Sequence, residues 1–483
     1  MSDKNGEKNS KNETGTPLEK QLLYKKEPAW KVFSEDERNQ ARDLAEKYRQ
    51  FITKAKTERH FIELATVIAK LAGFREFKTE DSLQSGDRVF IINRKKNAIF
   101  AVIGQKPMTD KLHLVASHVD CPRIDLKVNP TYEDSGLALF KTHYYGGIKK
   151  YQWVNVPLSL HGVVVKKDGT LVEVSVGESP GDPVLVIPDL LIHLASKKQG
   201  KRTMDEVIQG EELNAIAGGL PFLEEDAKEK IKLNLLKILY DRYGMVEEDF
   251  TSAELSLVPA LEARYVGLDK AIVGAYGHDD RVCSFAGLEA IMSLEGTPQA
   301  TNLLLLCDKE EIGSVTNTGA QSIFLEQVVA ELMQATGIDP TILNLNRALK
   351  NCFGISADVG AAIDPTFKDV HDARTSPIAG EGVGVTKYTG SGGKRGANDA
   401  HAEVVGAIRK LFNDQKVPWQ VDILGKVDEG GGGTIAQFLS RLNMEVIDIG
   451  TPVIGMHSPF ELVHIADIFA TVKAYRVFFE SNL

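Results

Sequence analysis

Residues 302–311 read Asn-Leu-Leu-Leu-Leu-Cys-Asp-Lys-Glu-Glu. The apolar run from Asn302 to Cys307 predicts a buried strand, and carboxylates follow at the point where it stops. Adjacent carboxylates at the mouth of a buried strand repel each other unless a cation or a shared proton lies between them. The stretch therefore predicts either a cation site at a strand end or a solvated acidic turn.

Four other short stretches place histidine or carboxylate side chains where an apolar run ends. They are Ser117-His118-Val119-Asp120, Gly277-His278-Asp279-Asp280-Arg281, Ser356-Ala357-Asp358 and Gly455-Met456-His457-Ser458. Alone, each has an ordinary structural explanation, such as an aspartate helix N-cap at 279–280. Together with residues 308–311 they supply imidazole and carboxylate ligands, a carboxylate to bridge two ions and a spare glutamate. A two-metal hydrolytic site needs this set of groups.

The composition argues against several classes of partner. The chain has 483 residues, 43% of them hydrophobic and 26% charged, which is an ordinary globular composition and long enough for two domains. A net charge of −10 argues against nucleic acid and against an anionic membrane surface. No apolar stretch reaches membrane-spanning length. Dispersed cysteines without a C-x-x-C pair fit a reducing cytosol, so we predict a cytoplasmic location.

The order of predicted elements indicates a layered α/β fold with an insertion. Apolar strands alternate with helices in two parts of the chain, and sites in such folds form outside the carboxyl ends of strands. Residues 128–264 read instead as short strands with one charged helix over 224–243, and they contain none of the five stretches. We therefore predict a catalytic domain of residues 20–127 and 265–483 and an inserted β-rich domain of residues 128–264. The arm of residues 1–19 lacks the apolar core of a signal peptide and is predicted to be disordered.

The ordered set of motifs resembles the aspartyl aminopeptidase and aminopeptidase I family of dizinc metallopeptidases. The family's S-H-x-D-x-P pattern matches residues 117–122, and its D-x-E-E-x-G-S pattern matches residues 308–314. Its S-A-D and M-H-S patterns match residues 356–358 and 456–458. The resemblance covers the chain from about residue 20 to the C-terminus. It implies a zinc-exopeptidase-like layered α/β catalytic domain with an inserted β-rich dimerisation domain.

Carried over residue by residue, the resemblance implies a set of metal ligands. His118 and Asp358 would bind one metal ion. Glu311 and His457 would bind the other ion, and Asp279 stands where the family has its bridging aspartate. The expected cofactors are two divalent ions per subunit, with zinc as the favoured metal and cobalt or manganese as alternatives.

The resemblance also implies roles for residues that do not bind the metals. Glu310 would be the general base, and Asp120 would orient the ring of His118. His193, in the inserted domain, would reach into the active site of a partner subunit and stabilise the oxyanion. Lys387 aligns with a lysine that can meet an acidic substrate side chain, and a purely structural role is the alternative. Family members form dimers that assemble into dodecamers, which implies a homo-oligomer.

The chain departs from the family pattern near the motifs. Asp364 stands in place of a histidine that often follows the S-A-D motif. Asp280 and Arg281 stand where eukaryotic members carry an asparagine and an apolar residue. These differences bear on the preference for acidic N-terminal residues more than on catalysis.

The sequence therefore predicts a cytosolic dimetal aminopeptidase that acts on peptides. A metal-activated water would attack the first peptide carbonyl, and Glu310 would transfer its proton to the leaving amine. One alternative is an amidohydrolase or carboxypeptidase-like dimetal hydrolase on the same scaffold. Another is a non-catalytic assembly protein. Comparing activity on free and N-acetylated peptides separates these hypotheses.

Overall fold

The computed structural model describes residues 16–24 and 26–483. The helices of these residues range from single turns to five turns. They are α1 (Pro17–Leu22), α2 (Ala29–Val32), α3 (Glu35–Lys54), α4 (Glu58–Leu71), α5 (Ile192–Lys198), α6 (Lys230–Tyr243), α7 (His278–Met292), α8 (Phe324–Ala335), α9 (Ile342–Lys350), α10 (Ala402–Asp414), α11 (Ala436–Ser440) and α12 (Ile465–Glu480).

The strands of the described residues are mostly short. They are β1 (Arg75–Glu76), β2 (Arg88–Asn93), β3 (Asn97–Val102), β4 (Leu112–His118), β5 (Arg123–Asp134), β6 (Leu137–Tyr145), β7 (Leu158–Val165), β8 (Leu171–Val176), β9 (Asn214–Gly218), β10 (Ala253–Pro259), β11 (Arg264–Val266), β12 (Ile272–Ala275), β13 (Thr301–Cys307), β14 (Cys352–Ser356), β15 (Gly360–Ala361), β16 (Val383–Thr386), β17 (Gly390–Ser391), β18 (Trp419–Val421), β19 (Gly431–Gly432), β20 (Glu445–Gly450), β21 (Pro452–Ile454) and β22 (Glu461–His464).

A mixed nine-stranded sheet forms the centre of the α/β layers, in the order β1-β2-β3-β13-β4-β14-β20-β16-β18. Its central strands β13, β4, β14 and β20 run parallel to one another, so their carboxyl ends lie at one edge. A five-stranded sheet, β11-β12-β22-β21-β15, contributes further loops beside that edge. The predicted α/β layered fold is confirmed.

Both faces of the large sheet are buried, which explains why β13 reads as a continuous apolar run. Leu304 and Leu306 point into a core formed with α3, α4, α7, α10 and α12. Leu303 and Leu305 point to the opposite face, against α8, α9 and α11. Side chains alternate along a strand, so a strand covered on both sides needs apolar residues at every position.

The predicted inserted region contains a separate six-stranded sheet, in the order β8-β7-β10-β5-β6-β9. It has its own core around the fully buried Trp153, with Leu235 and Leu239 of α6 packed against it. This sheet begins at Arg123 and ends at Pro259, close to the predicted limits of 128 and 264. The division into domains remains a prediction.

Two predicted boundaries differ from the structure. The charged helix predicted over 224–243 begins only at Lys230, because Glu229 takes a left-handed conformation with φ of 45° that a right-handed helix cannot include. Of the predicted disordered arm, residues 1–15 lie outside the described residues. Its last residues enter α1, where Thr16 and Glu19 form reciprocal side-chain to backbone hydrogen bonds that cap the helix.

No helix of the described residues is both long enough and apolar enough to cross a bilayer.

The packing of α7 against α3 gives a test of the fold. Phe285 of α7 is fully buried, with its ring 5.0 Å from that of Tyr48 and 5.2 Å from that of Phe51. We expect Phe285→Ala to lower the free energy of unfolding by about 3–5 kcal/mol, because it removes apolar contacts and leaves a cavity. The midpoint of urea unfolding, followed by circular dichroism, measures the change. Phe367→Ala is the matched control, since Phe367 is 61% exposed; equal midpoints for the two variants would contradict this packing.

Candidate metal centre

The fold brings the five motif stretches to one place. His118 ends β4, the turn with Glu310 and Glu311 follows β13, and Asp358 follows β14. These strands are parallel neighbours, and Cys307 at the end of β13 is in register with His118. Asp279 at the start of α7 and His457 after β21 come from loops of the five-stranded sheet. The site therefore lies outside the carboxyl ends of the strands, as expected for an α/β fold.

Asp279 lies between the two histidines. Its Oδ1 is 3.2 Å from Nε2 of His118, and its Oδ2 is 3.0 Å from Nε2 of His457. Asp358 Oδ1 is 3.8 Å from the same His118 nitrogen, and Glu311 Oε2 is 3.5 Å from the His457 nitrogen. Nε2 of each histidine thus lies near one oxygen of Asp279 and near one further carboxylate. That carboxylate is Asp358 for His118 and Glu311 for His457. This is the arrangement that two ions sharing a bridging carboxylate require.

The residues of the cluster fit a divalent metal. Potential ligand atoms of His118, Asp279 and Glu311 lie within 4.8 Å of one another, as do those of His118, Asp280 and Asp358. Glu311 Oε1 is buried, and no described group donates a hydrogen bond to it. A buried carboxylate oxygen without a donor is costly unless a cation satisfies it. Imidazole and carboxylate together suit zinc and also cobalt or manganese.

The charges in the cluster are unbalanced without a cation. Burial, together with the charge of Asp358, raises the pKa of Glu310 to about 8, and burial with the charge of Asp279 raises that of Glu311. Burial opposes protonation of His457, yet hydrogen bonding to Asp279 and the charge of Glu311 raise its pKa to about 10. The carboxylates outnumber the imidazoles, so protons are retained where a divalent ion would otherwise supply positive charge.

Asp280 belongs to the same motif stretch as Asp279, and the resemblance assigned the bridging role to Asp279 alone. Oδ2 of Asp280 lies 3.4 Å from the backbone N–H of His118, and its Oδ1 is buried without a described donor. The peptide bond between Asp279 and Asp280 is cis. The H-D-D-R motif thus placed Asp280 at the site, where its carboxylate contacts backbone and also lies near potential ligand atoms of His118 and Asp358.

Asp120 holds two parts of the cluster together. Its Oδ1 is 3.4 Å from Nδ1 of His118 and accepts a hydrogen bond of 3.1 Å from the backbone N–H of Glu310. Its Oδ2 accepts hydrogen bonds from the N–H of Glu311 at 3.3 Å and from the hydroxyl of Tyr145 at 2.7 Å. These contacts leave Nε2 of His118 facing the cluster, as a metal-binding histidine requires.

Glu461 supports the side of the cluster that contains His457, and no sequence motif predicted it. One of its carboxylate oxygens accepts a hydrogen bond from the N–H of His457 at 2.7 Å, and the other accepts from the N–H of Asp279 at 3.1 Å. Nδ1 of His457 lies 2.7 Å from the carbonyl oxygen of Gly147, which leaves Nε2 for a metal. Burial and the charge of Asp279 raise the pKa of Glu461 to about 8, while the two backbone donors act in the opposite direction.

Two predicted site residues lie away from the cluster in this chain. His193 is exposed on α5 and does not line the pocket around Asp279. The ammonium of Lys387 pairs with Asp399, and its neighbours Thr386 and Tyr388 line the pocket instead. Lys387 directly follows β16, and its ion pair with Asp399 holds the ammonium away from the cluster.

Comparison with known proteins identifies close relatives of the chain. A family described as aminopeptidase I zinc metalloprotease (M18) matches residues 51–479. A probable M18 family aminopeptidase 1 of Borrelia garinii is 46% identical over 457 residues, which are 94% of this chain and 100% of that protein. The probable M18 family aminopeptidase 1 of Thermotoga maritima is 45% identical over 90% of this chain and 95% of its own length.

Solved structures agree in fold. The crystal structure of an M18 family aminopeptidase from Thermotoga maritima has a TM-score of 0.91 at 42% identity, covering 95% of this chain and 100% of that one. Aminopeptidase I from Clostridium acetobutylicum has a TM-score of 0.89 at 40% identity, covering 95% and 100% of the two chains. A structure described as the S. cerevisiae mApe1 dodecamer, at 22% identity and a TM-score of 0.71 over 91% of this chain and 96% of that one, shares the fold.

The contacts of Glu461 lead to a prediction about stability. We expect Glu461→Gln to lower the free energy of unfolding by about 1–3 kcal/mol, because the amide has one acceptor oxygen for two buried N–H donors. Glu295→Gln is the control, since Glu295 is exposed. Urea unfolding of both variants in the presence of a chelator gives the comparison. A Glu461 variant as stable as the Glu295 variant would contradict the supporting role.

Proposed function

Because the chain belongs to the M18 family of aminopeptidase I zinc metalloproteases and is therefore an aminopeptidase, we propose that its cluster binds two divalent metal ions for peptide hydrolysis. The observation that carries this proposal is the position of Asp279, with one oxygen toward each histidine. Zinc is the favoured metal, and cobalt and manganese suit the same ligands.

We assign the ligands by their proximity to the two histidines. His118 and Asp358 would hold one ion, Glu311 and His457 would hold the other, and Asp279 would bridge them. When bound, such ions polarise a substrate carbonyl and bring the pKa of a coordinated water toward neutrality. The unsatisfied Glu311 Oε1 supports a ligand role for that side chain.

Glu310 is the proposed general base. Its side chain lines the pocket, and its Oε2 is 4.0 Å from Nε2 of His118, farther than the oxygens of Asp279 and Asp358. Its backbone N–H is fixed by Asp120, so the carboxylate is held beside the cluster. From there it would accept a proton from the attacking water and return it to the leaving amine.

The role of Glu310 is tested by separating metal binding from catalysis. We expect Glu310→Gln to retain both metal ions and to lower kcat by at least about a hundredfold, because an amide cannot accept the proton. Mass spectrometry measures the bound metal, and hydrolysis of amino-acid anilides measures the activity. Glu311→Gln is the matched control, and it should lose metal as well as activity.

The same assay tests the function as a whole. Release of the first residue should require a free α-amine, fail on N-acetylated substrates and stop when a chelator removes the metal. Hydrolysis of N-acetylated substrates would favour an amidohydrolase. A fully active Glu310→Gln variant would remove Glu310 from the reaction.

We also propose that the chain acts as a homo-oligomer in which His193 completes the active site of a partner subunit. Leu191, Ile192 and Leu194 around this histidine are 54%, 76% and 61% exposed, and such an apolar patch is typical of a protein interface. The proposal includes dimers that assemble into a dodecamer, the assembly for which the yeast mApe1 structure is described. In the partner's pocket, His193 would donate a hydrogen bond to the developing oxyanion.

A subunit-mixing experiment tests the role of His193. We expect His193→Ala to lower kcat by at least about a hundredfold without loss of metal, because it removes an oxyanion donor. Coexpression with the Glu310→Gln variant should restore activity above that of either variant alone. A mixed dimer would then pair an intact Glu310 in one subunit with an intact His193 from the other. Absence of restored activity in isolated mixed dimers would contradict action between subunits.

A cytoplasmic location is part of the proposal. All cysteines of the chain are free and buried in the structure. Buried thiols without disulfides fit a reducing compartment.

A further inference from the structure

The pocket beside the metal cluster contains a buried carboxylate that the proposed mechanism does not use. Asp422 follows β18 and lines the pocket together with Asp279 and His457. The residue is only 3% exposed, and no described group donates a hydrogen bond to its carboxylate. Its backbone N–H bonds to the carbonyl of Val385 at 3.1 Å, which fixes the position of the side chain. Removing a carboxylate from most of its water without a hydrogen-bond donor is costly, so a cationic ligand in the pocket would stabilise Asp422.

Two glycines make room for this carboxylate. A Cβ atom on Gly360 would lie 1.6 Å from Oδ2 of Asp422, and one on Gly384 would lie 2.5 Å from the same oxygen. Both distances are far inside van der Waals contact, so any larger residue at either position would displace the carboxylate. Gly360 comes two residues after Asp358, which places Asp422 beside the proposed metal ligands.

No cation of the described residues neutralises Asp422. Among the lysines that line the pocket, Lys394 pairs with Asp399 at 2.9 Å and lies over the ring of Tyr388. Lys426 donates to the carbonyl oxygen of Asp369.

The groups nearest to Asp422 add to its negative environment. Burial and the charges of Asp448 and Asp358 raise the pKa of Asp422 to about 7, and the charge of Lys26 lowers it. Asp448 itself accepts a hydrogen bond of 2.6 Å from the hydroxyl of Thr434. The pocket therefore favours a positive group near Asp422.

We propose that Asp422 selects peptides whose first residue carries a cationic side chain, lysine or arginine, by pairing with that charge. This inference rests on the proposed aminopeptidase function. Lysine carries its charge on a flexible four-carbon stem, which can extend from the first residue of the peptide to a carboxylate in the pocket wall. A neutral side chain of the same length would bury Asp422 unpaired, and an acidic side chain would be repelled.

The comparison of lysine with norleucine isolates this charge, because norleucine has a similar length without the ammonium. We expect zinc-loaded enzyme to hydrolyse the lysyl anilide with a kcat/KM about 10- to 100-fold above that of the norleucyl anilide, as an ionic hydrogen bond would give. Arginyl anilide should be preferred similarly, and aspartyl anilide should be the poorest substrate. Asp422→Asn should reduce the ratio of lysyl to norleucyl kcat/KM to near one.

Asp428→Asn is the matched control, since Asp428 is an exposed carboxylate at the same pocket. It should leave the lysyl to norleucyl ratio unchanged. If Asp422→Asn lowered kcat/KM equally for the lysyl and norleucyl anilides, Asp422 would act on a group common to all substrates, such as the α-amine. That result would overturn the proposal. Preference of the wild type for leucyl or aspartyl anilide would overturn it too, and loss of the aspartyl activity in Lys387→Ala would then favour that lysine.

A binding measurement keeps this inference separate from the proposed function. Free lysine and norleucine are titrated calorimetrically into the wild-type, zinc-loaded protein, which needs no variant to fold and no turnover. Tighter binding of lysine supports the role of Asp422 even if no anilide is hydrolysed, in which case only the proposed function fails. Equal binding of the two amino acids overturns the inference whatever the activity.

Discussion

The concentration of buried carboxylates at one edge of the sheet is the constraint on which the site depends. Parallel strands β13, β4 and β14 end together there, so the polar residues that follow them meet in a small, dry volume. Carboxylates in such a volume repel one another strongly, and each must find a donor, a proton or a cation. The surrounding backbone meets part of this requirement. Asp120 and Glu461 each accept two backbone N–H groups, and by doing so they fix the turns that carry the other carboxylates.

The turns at this edge depend on unusual backbone conformations. Lys309 has φ of 68° directly before Glu310, and His457 itself has φ of 65°. A non-glycine residue in the left-handed region costs about 1–2 kcal/mol, so such conformations persist where neighbouring contacts hold them. The hydrogen bonds from Glu310 to Asp120 and from His457 to Glu461 are the contacts that hold these two turns. The rigid, doubly covered sheet below them supplies the fixed platform.

The α/β layers and the side chains that cluster around Asp279 could be predicted from the sequence, because the fold and the motifs both leave local patterns in it. Apolar runs predict strands, and polar residues at the ends of those runs predict a site. Glu461 and Tyr145 carry no such signal, since their partners are backbone groups or a carboxylate that become neighbours only in the fold. The predicted contact of Lys387 with an acidic substrate side chain stays a prediction, because its ammonium pairs with Asp399 in this chain. Thr386 lies in the pocket, whereas Lys387 does not.

The hydrogen-bond donors around each carboxylate distinguish the carboxylates that support the fold of the site from those that would bind a ligand. Asp120 and Glu461 are satisfied by backbone donors, and Asp448 by a hydroxyl, so these groups need nothing from outside the chain. Glu311 retains a buried oxygen without a described donor, which points to a ligand. Asp422 is 3% exposed and lines the pocket, and no described group donates a hydrogen bond to its carboxylate. Their surroundings differ in the chemistry that they suit. Glu311 lies beside an imidazole, the usual companion of a carboxylate at a metal ion, whereas the carboxylate of Asp422 packs against two glycines at the pocket wall. Among the described residues that line the pocket, His457 is the only histidine, so the proposed metal site and the proposed contact at Asp422 call on different chemistry in one pocket.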